Sequence, residues 1–162
     1  MRVINIICDM QDSSLSGKAL AKLKDKGYEI DLRQYGTSDI DANEMTFHEI
    51  SELLPDCSLV IIRVHAGLTY FKKFDRLKER LIAENVSLII LSEMAEDVKE
   101  NRSLFQGSES DYVTIRSYLE LGGVENECNL YAWLLKEVDS IDIDVKEPVR
   151  GSMQGYYEPG EG

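Results

Sequence analysis

Three stretches of the chain are almost wholly apolar and rich in Val, Ile and Leu. They are residues 2–8, 59–64 and 86–92. Runs of this length and composition read as strands buried on both faces. A fourth stretch, 28–35, alternates apolar and polar positions, as an edge or half-buried strand does. Between them the period changes to that of a helix. Leu15, Ala19, Leu20 and Leu23 share one face of a segment over about 15–26, which Ser13 or Ser14 can cap and Gly27 can close. A second helix is predicted over 46–54, stopped by Pro55. A third, over 70–83, carries Phe71, Phe74, Leu77, Leu81 and Ile82. Residues 36–44 read as loop, and His65 to Leu68 as a sharp turn. Beyond residue 92 the pattern is helical, over 110–121 and 124–138, broken by Gly122-Gly123. No period is visible from Asp139 onward.

Strand and helix alternate through the first 92 residues, which implies a mainly parallel sheet with helices on both faces. The predicted class is α/β: a flavodoxin- or Rossmann-like three-layer sandwich of about four strands. A helical C-terminal third and an extended tail follow it. Residues 1–138 read as a single α/β domain with a helical extension over about 110–138. Residues 139–162 read as an acidic linker and tail leading to a downstream domain. In open parallel sheets ligands bind beyond the carboxyl ends of the strands. The loops of interest are therefore 8–14, 35–40, 63–70 and 92–97.

Charge narrows the function. Thirty acids against 18 bases give a net charge of −12. A phosphate-binding surface needs clustered Lys and Arg, so nucleic acid is excluded as a partner. The acid-rich run 137–147 reads as a solvated linker. The apolar runs fall far short of the roughly 20 residues that span a bilayer, which leaves no membrane role. No secretory cleavage site follows the amino terminus, so a cytoplasmic setting is expected. Cys8, Cys57 and Cys128 are odd in number and widely spaced, against a zinc knuckle and in favour of free thiols. Cys8 and Cys57 read as small core residues.

The familiar catalytic motifs are missing. There is no Gly-x-Gly-x-x-Gly, no Walker A sequence and no Gly-x-Ser-x-Gly elbow. The run from Asp9 to Ser14 offers hydroxyls and amides at a helix start, although a plain cap is the simpler reading. Arg63, His65 and Gly67 close the third predicted strand. They place a guanidinium, an imidazole and a tight turn at the ligand edge of the sheet, for structural pairing or for ligand and interdomain contact. His65 lacks the companions a zinc site needs, and no metal ligand is assigned. His48 reads as solvated. Glu93 and Glu96 read as a solvated loop. In the run Gly122-Gly123-Val124-Glu125-Asn126, the glycines permit an unusual backbone between helices. Glu125, Asn126 and Asn129 then fall in the first turns of the next helix, able to tie down loops or to meet a ligand's carboxamides.

Two runs carry a family resemblance. One is Tyr118-Leu119-Glu120-Leu121-Gly122-Gly123-Val124-Glu125-Asn126-Glu127-Cys128-Asn129-Leu130. The other is Met153-Gln154-Gly155-Tyr156-Tyr157-Glu158-Pro159. Together they resemble the start of the cobaltochelatase large subunit (CobN type), a relative of the magnesium chelatase H subunit. Glu158 departs from the pattern, standing where family members commonly have histidine. The resemblance implies the amino-terminal domain of an enzyme, a ligase forming nitrogen–metal bonds, that inserts cobalt into hydrogenobyrinic acid a,c-diamide in cobalamin biosynthesis. Separate AAA+ subunits hydrolyse the ATP. This piece would bind tetrapyrrole or brace the other domains of its subunit, hold no cofactor itself and be inactive alone. Ligand-binding or interdomain candidates are Arg63, His65, Gly67, Gly122, Gly123, Glu125, Asn126, Asn129, Tyr156 and Tyr157. No catalytic residue is assigned. Magnesium chelatase is the alternative within the class. A stand-alone flavodoxin- or response-regulator-like module for a small ligand or protein is the alternative outside it.

Overall fold

The computed structural model describes residues 1–8 and 13–150. Four strands, β1 (Arg2–Ile7), β2 (Asp31–Gly36), β3 (Cys57–Val64) and β4 (Ser87–Ser92), form one sheet in the order β2-β1-β3-β4. All neighbours are parallel, as the alternation of elements predicts. Ile4 lies level with Arg33 and Val60, and Ile62 lies level with Ile90. The register shifts once, between Arg2 and Val3. The helices are α1 (Ser13–Asp25), α2 (Thr37–Ala42), α3 (Glu44–Leu53), α4 (Phe74–Glu84), α5 (Ala95–Glu100), α6 (Glu109–Leu121) and α7 (Val124–Asp139). The chain divides into two compact units. One is Met1–Ser13 with Asp31–Gly107, and the other is Ser14–Ile30 with Ser108–Gly162.

In the first unit alternate residues of the strands build the core. Ile4, Ile6, Val60, Ile62, Leu88 and Ile90 cluster with Ile40, Phe47 and Ile50 of α2 and α3, and with Phe74, Leu77 and Leu81 of α4. The other set of strand residues, Val3, Leu59, Ile61 and Ile89, is equally buried. A sheet buried on both faces belongs to the three-layer α/β class. Burying each such side chain contributes about 1.5–3 kcal/mol.

Residues 36–44 are not a loop. Thr37–Ala42 is a short helix whose Ile40 is fully buried. Six residues with one core position show no helical period, and the reason for the helix lies elsewhere in the chain. The Asp41 carboxylate accepts the backbone N–H of Lys72 and of Lys73, both at 2.9 Å. Lys73 Nζ donates to the Ile40 carbonyl at 2.9 Å. Glu44, at the start of α3, accepts two bonds from the Arg76 guanidinium, at 2.6 and 3.1 Å, and pairs with Lys73 at 2.9 Å. The α2–α3 corner thus fixes where α4 begins. The helix predicted over 70–83 is accordingly a 3-10 turn at Leu68–Tyr70 followed by α4. On the other side of α3, the Tyr35 hydroxyl donates to Glu49. Burial first, and then that carboxylate, push the phenol up to about 12.

Asp31 anchors the amino end of the sheet. It accepts from Arg33 Nε at 2.7 Å and from Arg2 Nε at 2.9 Å, and Arg33 above all holds its carboxyl below the ordinary value. The three cysteines are free. Cys57 is half-buried and its thiol is pushed up by burial. Cys8 departs from the expectation of a core residue: it is exposed, because β1 ends at Ile7 and Cys8 already lies beyond the sheet. No helix among the described residues is long and apolar enough to cross a membrane.

The second unit combines α1, α6 and α7 with the stretch after α7. Glu127, 3% exposed, accepts the hydroxyls of Ser16 and of Tyr131, the latter at 2.5 Å, and so joins α1 to α7. Lys22 and Glu125 pair at the surface of the same two helices.

Glu44 predicts an acid-sensitive corner. Hydrogen bonding from Arg76 first, and then Lys73, lowers its pKa from 4.5 to about 2. A carboxylate with a lowered folded-state pKa adds stability that is present above its unfolded value and lost as pH falls through the folded one. Glu44→Gln is therefore expected to flatten the fall in unfolding free energy between about pH 4.5 and 2, with no change of slope near neutrality. Denaturant unfolding across that range checks it.

Candidate functional site

The strand order reverses between β1 and β3, which is where a ligand crevice opens in sheets of this kind. The Cys8 N–H donates to the Arg63 carbonyl at 3.1 Å, so the two strands end side by side. Arg63 itself lies level with Ile7 and Leu91 and is half-buried. Two residues on, His65 leaves the sheet and is exposed, with Nδ1 3.8 Å from Glu93 Oε2. The structure thus brings His65 to the head of the β4–α5 turn. Glu96 is exposed on α5 and His48 is exposed beside Glu52. Among the described residues no cluster of His, Cys, Asp and Glu could hold a metal ion.

Gly67 has φ 103° and ψ 168°, a region essentially reserved for glycine. It is buried, and a Cβ there would lie 2.8 Å from Met94 Cγ and 3.1 Å from Asp97 Oδ2. Asp97 explains the close approach. Its Oδ2 accepts the Leu68 N–H at 2.9 Å and the Ser92 hydroxyl at 2.9 Å, and Ser92 Oγ accepts the Met94 N–H at 3.0 Å. One carboxylate therefore latches the turn after β3 to the turn after β4. Asn101 Nδ2 donates to the Asp97 carbonyl at 2.7 Å and steadies the latch from below. Beside it opens a cavity of about 630 Å³, within the size range of ligand pockets. Leu68, Thr69, Lys72, Lys78, Asp75, Asp97 and Glu100 help line it. Two large apolar side chains stand exposed on the latched turns, Tyr70 at 74% and Met94 at 52%.

The sequence signals in the second unit meet a different fate. Gly122 and Gly123 have φ of 68° and 88° and turn the chain from α6 into α7. Asn126 is fully buried. Its Nδ2 donates to the Gly122 carbonyl at 2.7 Å and to the Val149 carbonyl at 2.8 Å, and its Oδ1 accepts the Val149 N–H at 2.9 Å. Asn129 Nδ2 donates to the Glu125 carbonyl at 3.0 Å, and its Oδ1 accepts the Lys146 N–H at 3.1 Å. The Tyr118 hydroxyl donates to the Lys146 carbonyl at 2.5 Å, with its phenol pushed up by burial and then by Glu147. An amide has two N–H donors, and Asn126 spends both on its own chain. The pair of asparagines holds the segment around 146–149. Tyr156 and Tyr157 lie outside the described residues.

Sequence reading passed over Tyr70, Lys72, Met94 and Asp97. Tyr70 looked like the first residue of an amphipathic helix. Asp97 looked like one acid among many in a loop already flagged for its position. Only the parallel pairing of β3 with β4 shows that the two turns meet.

No protein-family model matches the chain, and no curated protein matches it in sequence. A solved structure does match: the catalytic subunit of cobaltochelatase from Mycobacterium tuberculosis, with a TM-score of 0.64 and 20% identity. The two share a fold. The match covers 91% of this chain but only 11% of that one, so this chain spans about a ninth of the length of that subunit.

Four substitutions check the geometry. Gly67→Ala is expected to cost about 1–3 kcal/mol in urea unfolding, the usual size of such backbone strain. Adding Met94→Ala is expected to recover part of it by removing the facing Cγ. Asn126→Ala is expected to speed amide exchange at Val149, whereas Asn129→Ala speeds it at Lys146. Residue-resolved hydrogen exchange separates the two.

Proposed function

We propose that this chain is a domain of a metal-chelatase large subunit of the cobaltochelatase type, and that it contributes to holding the tetrapyrrole during metal insertion. The observation that carries the reading is the structural match, which spans nearly all of this chain and one domain-sized part of a cobaltochelatase catalytic subunit. The order of Gly122, Gly123, Glu125, Asn126 and Asn129 supports it from the sequence side. Cobalt is the metal and a corrin precursor the ring in this reading. The proton-accepting groups and the AAA+ partners that hydrolyse ATP belong to other parts of the assembly. Insertion must flatten or distort the ring and receive two displaced protons, so binding energy spread over several domains serves the reaction.

The strand order β2-β1-β3-β4 also favours a second reading, a flavodoxin-like binding module, since that order places a flavin at the β1/β3 switch point. A response regulator fits less well, because β3 runs into Val64-His65 and presents no aspartate at its end.

Calorimetric titration distinguishes the readings. Hydrogenobyrinic acid a,c-diamide, protoporphyrin IX and FMN are each added to the protein. Saturable binding of the corrinoid is expected. Preference for the porphyrin would move the assignment to the magnesium class, and binding of FMN alone would overturn the chelatase reading.

A further inference from the structure

Among the described residues of the first unit, the cavity beside the latched turns is lined by charges of both signs that do not pair. The start of α4 and the turn leading into it lend Lys72, Asp75 and Lys78, and the stretch from α5 onward lends Asp97, Glu100 and Asn101. Phe71 and Phe74 line it as well, but both are buried, so what the cavity offers a ligand is mainly polar. We infer that this cavity is a binding site for a small zwitterion with a cationic arm, an amino acid whose side chain carries a second positive charge. The inference goes beyond the chelatase-type reading and does not rest on it.

The side chains of Lys72, Asp75, Lys78 and Glu100 make no ion pair and no hydrogen bond among the described residues. Their neighbours Lys73 and Arg76 are tied to Glu44 instead. Unlike charges set around one cavity, too far apart to pair, leave room for a molecule that bridges them. A plain anion would meet the carboxylates, and a plain cation would meet the two ammonium groups. A ligand with both signs satisfies both: its carboxylate accepts from Lys72 and Lys78, and its cationic groups donate to Asp75 and Glu100. Three carboxylates against two ammonium groups leave one negative charge over, which favours a ligand of net positive charge. Asn101 adds an acceptor. It is 5% exposed, its Nδ2 is spent on the Asp97 carbonyl at 2.7 Å, and its Oδ1 is buried with no hydrogen-bond partner. A buried acceptor without a donor is costly, and an N–H of the ligand supplies one. The wall is also held in place: Asp97 ties Leu68 to Ser92 with two 2.9 Å bonds, so little ordering entropy is lost when a ligand arrives. A volume of about 630 Å³ accommodates a long-chain amino acid together with bridging water.

The test is calorimetric titration of the protein with L-arginine, with agmatine, which lacks the carboxylate, and with L-glutamate, which reverses the charge of the arm. It is repeated for Lys72→Ala/Lys78→Ala and for Asp75→Asn/Glu100→Gln, with circular dichroism confirming that each variant is folded. Saturable binding of L-arginine is expected, with agmatine and L-glutamate roughly tenfold weaker. The lysine variant is expected to lose the preference for L-arginine over agmatine, and the acid variant to bind L-arginine roughly tenfold more weakly. Three results would each overturn the site: no saturable binding of L-arginine by the unaltered protein, agmatine or L-glutamate binding it as tightly, or unchanged L-arginine affinity in both variants. All three leave the chelatase reading in place, since that reading is tested with other ligands.

Discussion

The central strand β1 has no free edge and no free face. β2 and β3 take its two hydrogen-bonding edges, and Val3, Ile4, Ile6 and Ile7 are buried on alternate sides. Such a strand tolerates little change of register, because a slip of one residue would exchange its two faces. Placing β1 between β2 and β3 also decides where the connections must part, one toward each edge of the sheet. The carboxyl ends of β1 and β3 consequently lie together, and the turn at Gly67 grows out of one of them. The turns beyond β3 and β4 depend on that placement.

Polar contacts then do what apolar packing cannot, which is to fix the turns. Burial is non-directional, so Phe71, Phe74 and Leu77 would accept several positions of α4 against the sheet. Asp41 and Glu44 select one by binding the amides of Lys72 and Lys73 and the side chains of Lys73 and Arg76. These contacts sit at the surface, where a single ion pair contributes little. Their weight comes from number and geometry: one corner supplies two carboxylates, and each accepts at least two bonds. Asp97 repeats the device at the next turn. The first unit thus has an apolar core that sets the layers, and a short series of carboxylates that set what the layers display.

This division explains what could be read from the sequence. The four strands were legible because their signal is local: Leu59 to Val64 and Val86 to Ser92 are apolar apart from Arg63, Ser87 and Ser92, and their shortness and wealth of Val and Ile favour a buried strand. The helix at Thr37–Ala42 was not, since its partners are 31 and 32 residues away and its own pattern holds one core residue, Ile40. The start of α4 was misplaced for a related reason. Tyr70 and Phe71 continue the apolar spacing of Phe74 and Leu77, and the spacing does not reveal that Tyr70 points to water while Phe71 is buried. Carboxylate latches leave no period at all, so Asp97 could be flagged only by lying beyond a strand end.

The two groups of candidate residues differ in what hydrogen-bonding and packing capacity they have left. Asn126 and Asn129 have the chemistry of ligand-binding amides, and sequence alone cannot separate that from an internal role. In the folded chain Asn126 is fully buried with both donors and its acceptor engaged, three of the bonds reaching Gly122 and Val149. A ligand would have to displace its own backbone to reach it. Tyr70 and Met94 are the converse: unremarkable in the sequence, yet carried at the surface by a backbone that Gly67 and Asp97 hold still. A binding surface needs unspent contacts on a framework that does not have to be ordered anew. By that criterion the asparagine motif is part of what keeps the second unit in one piece.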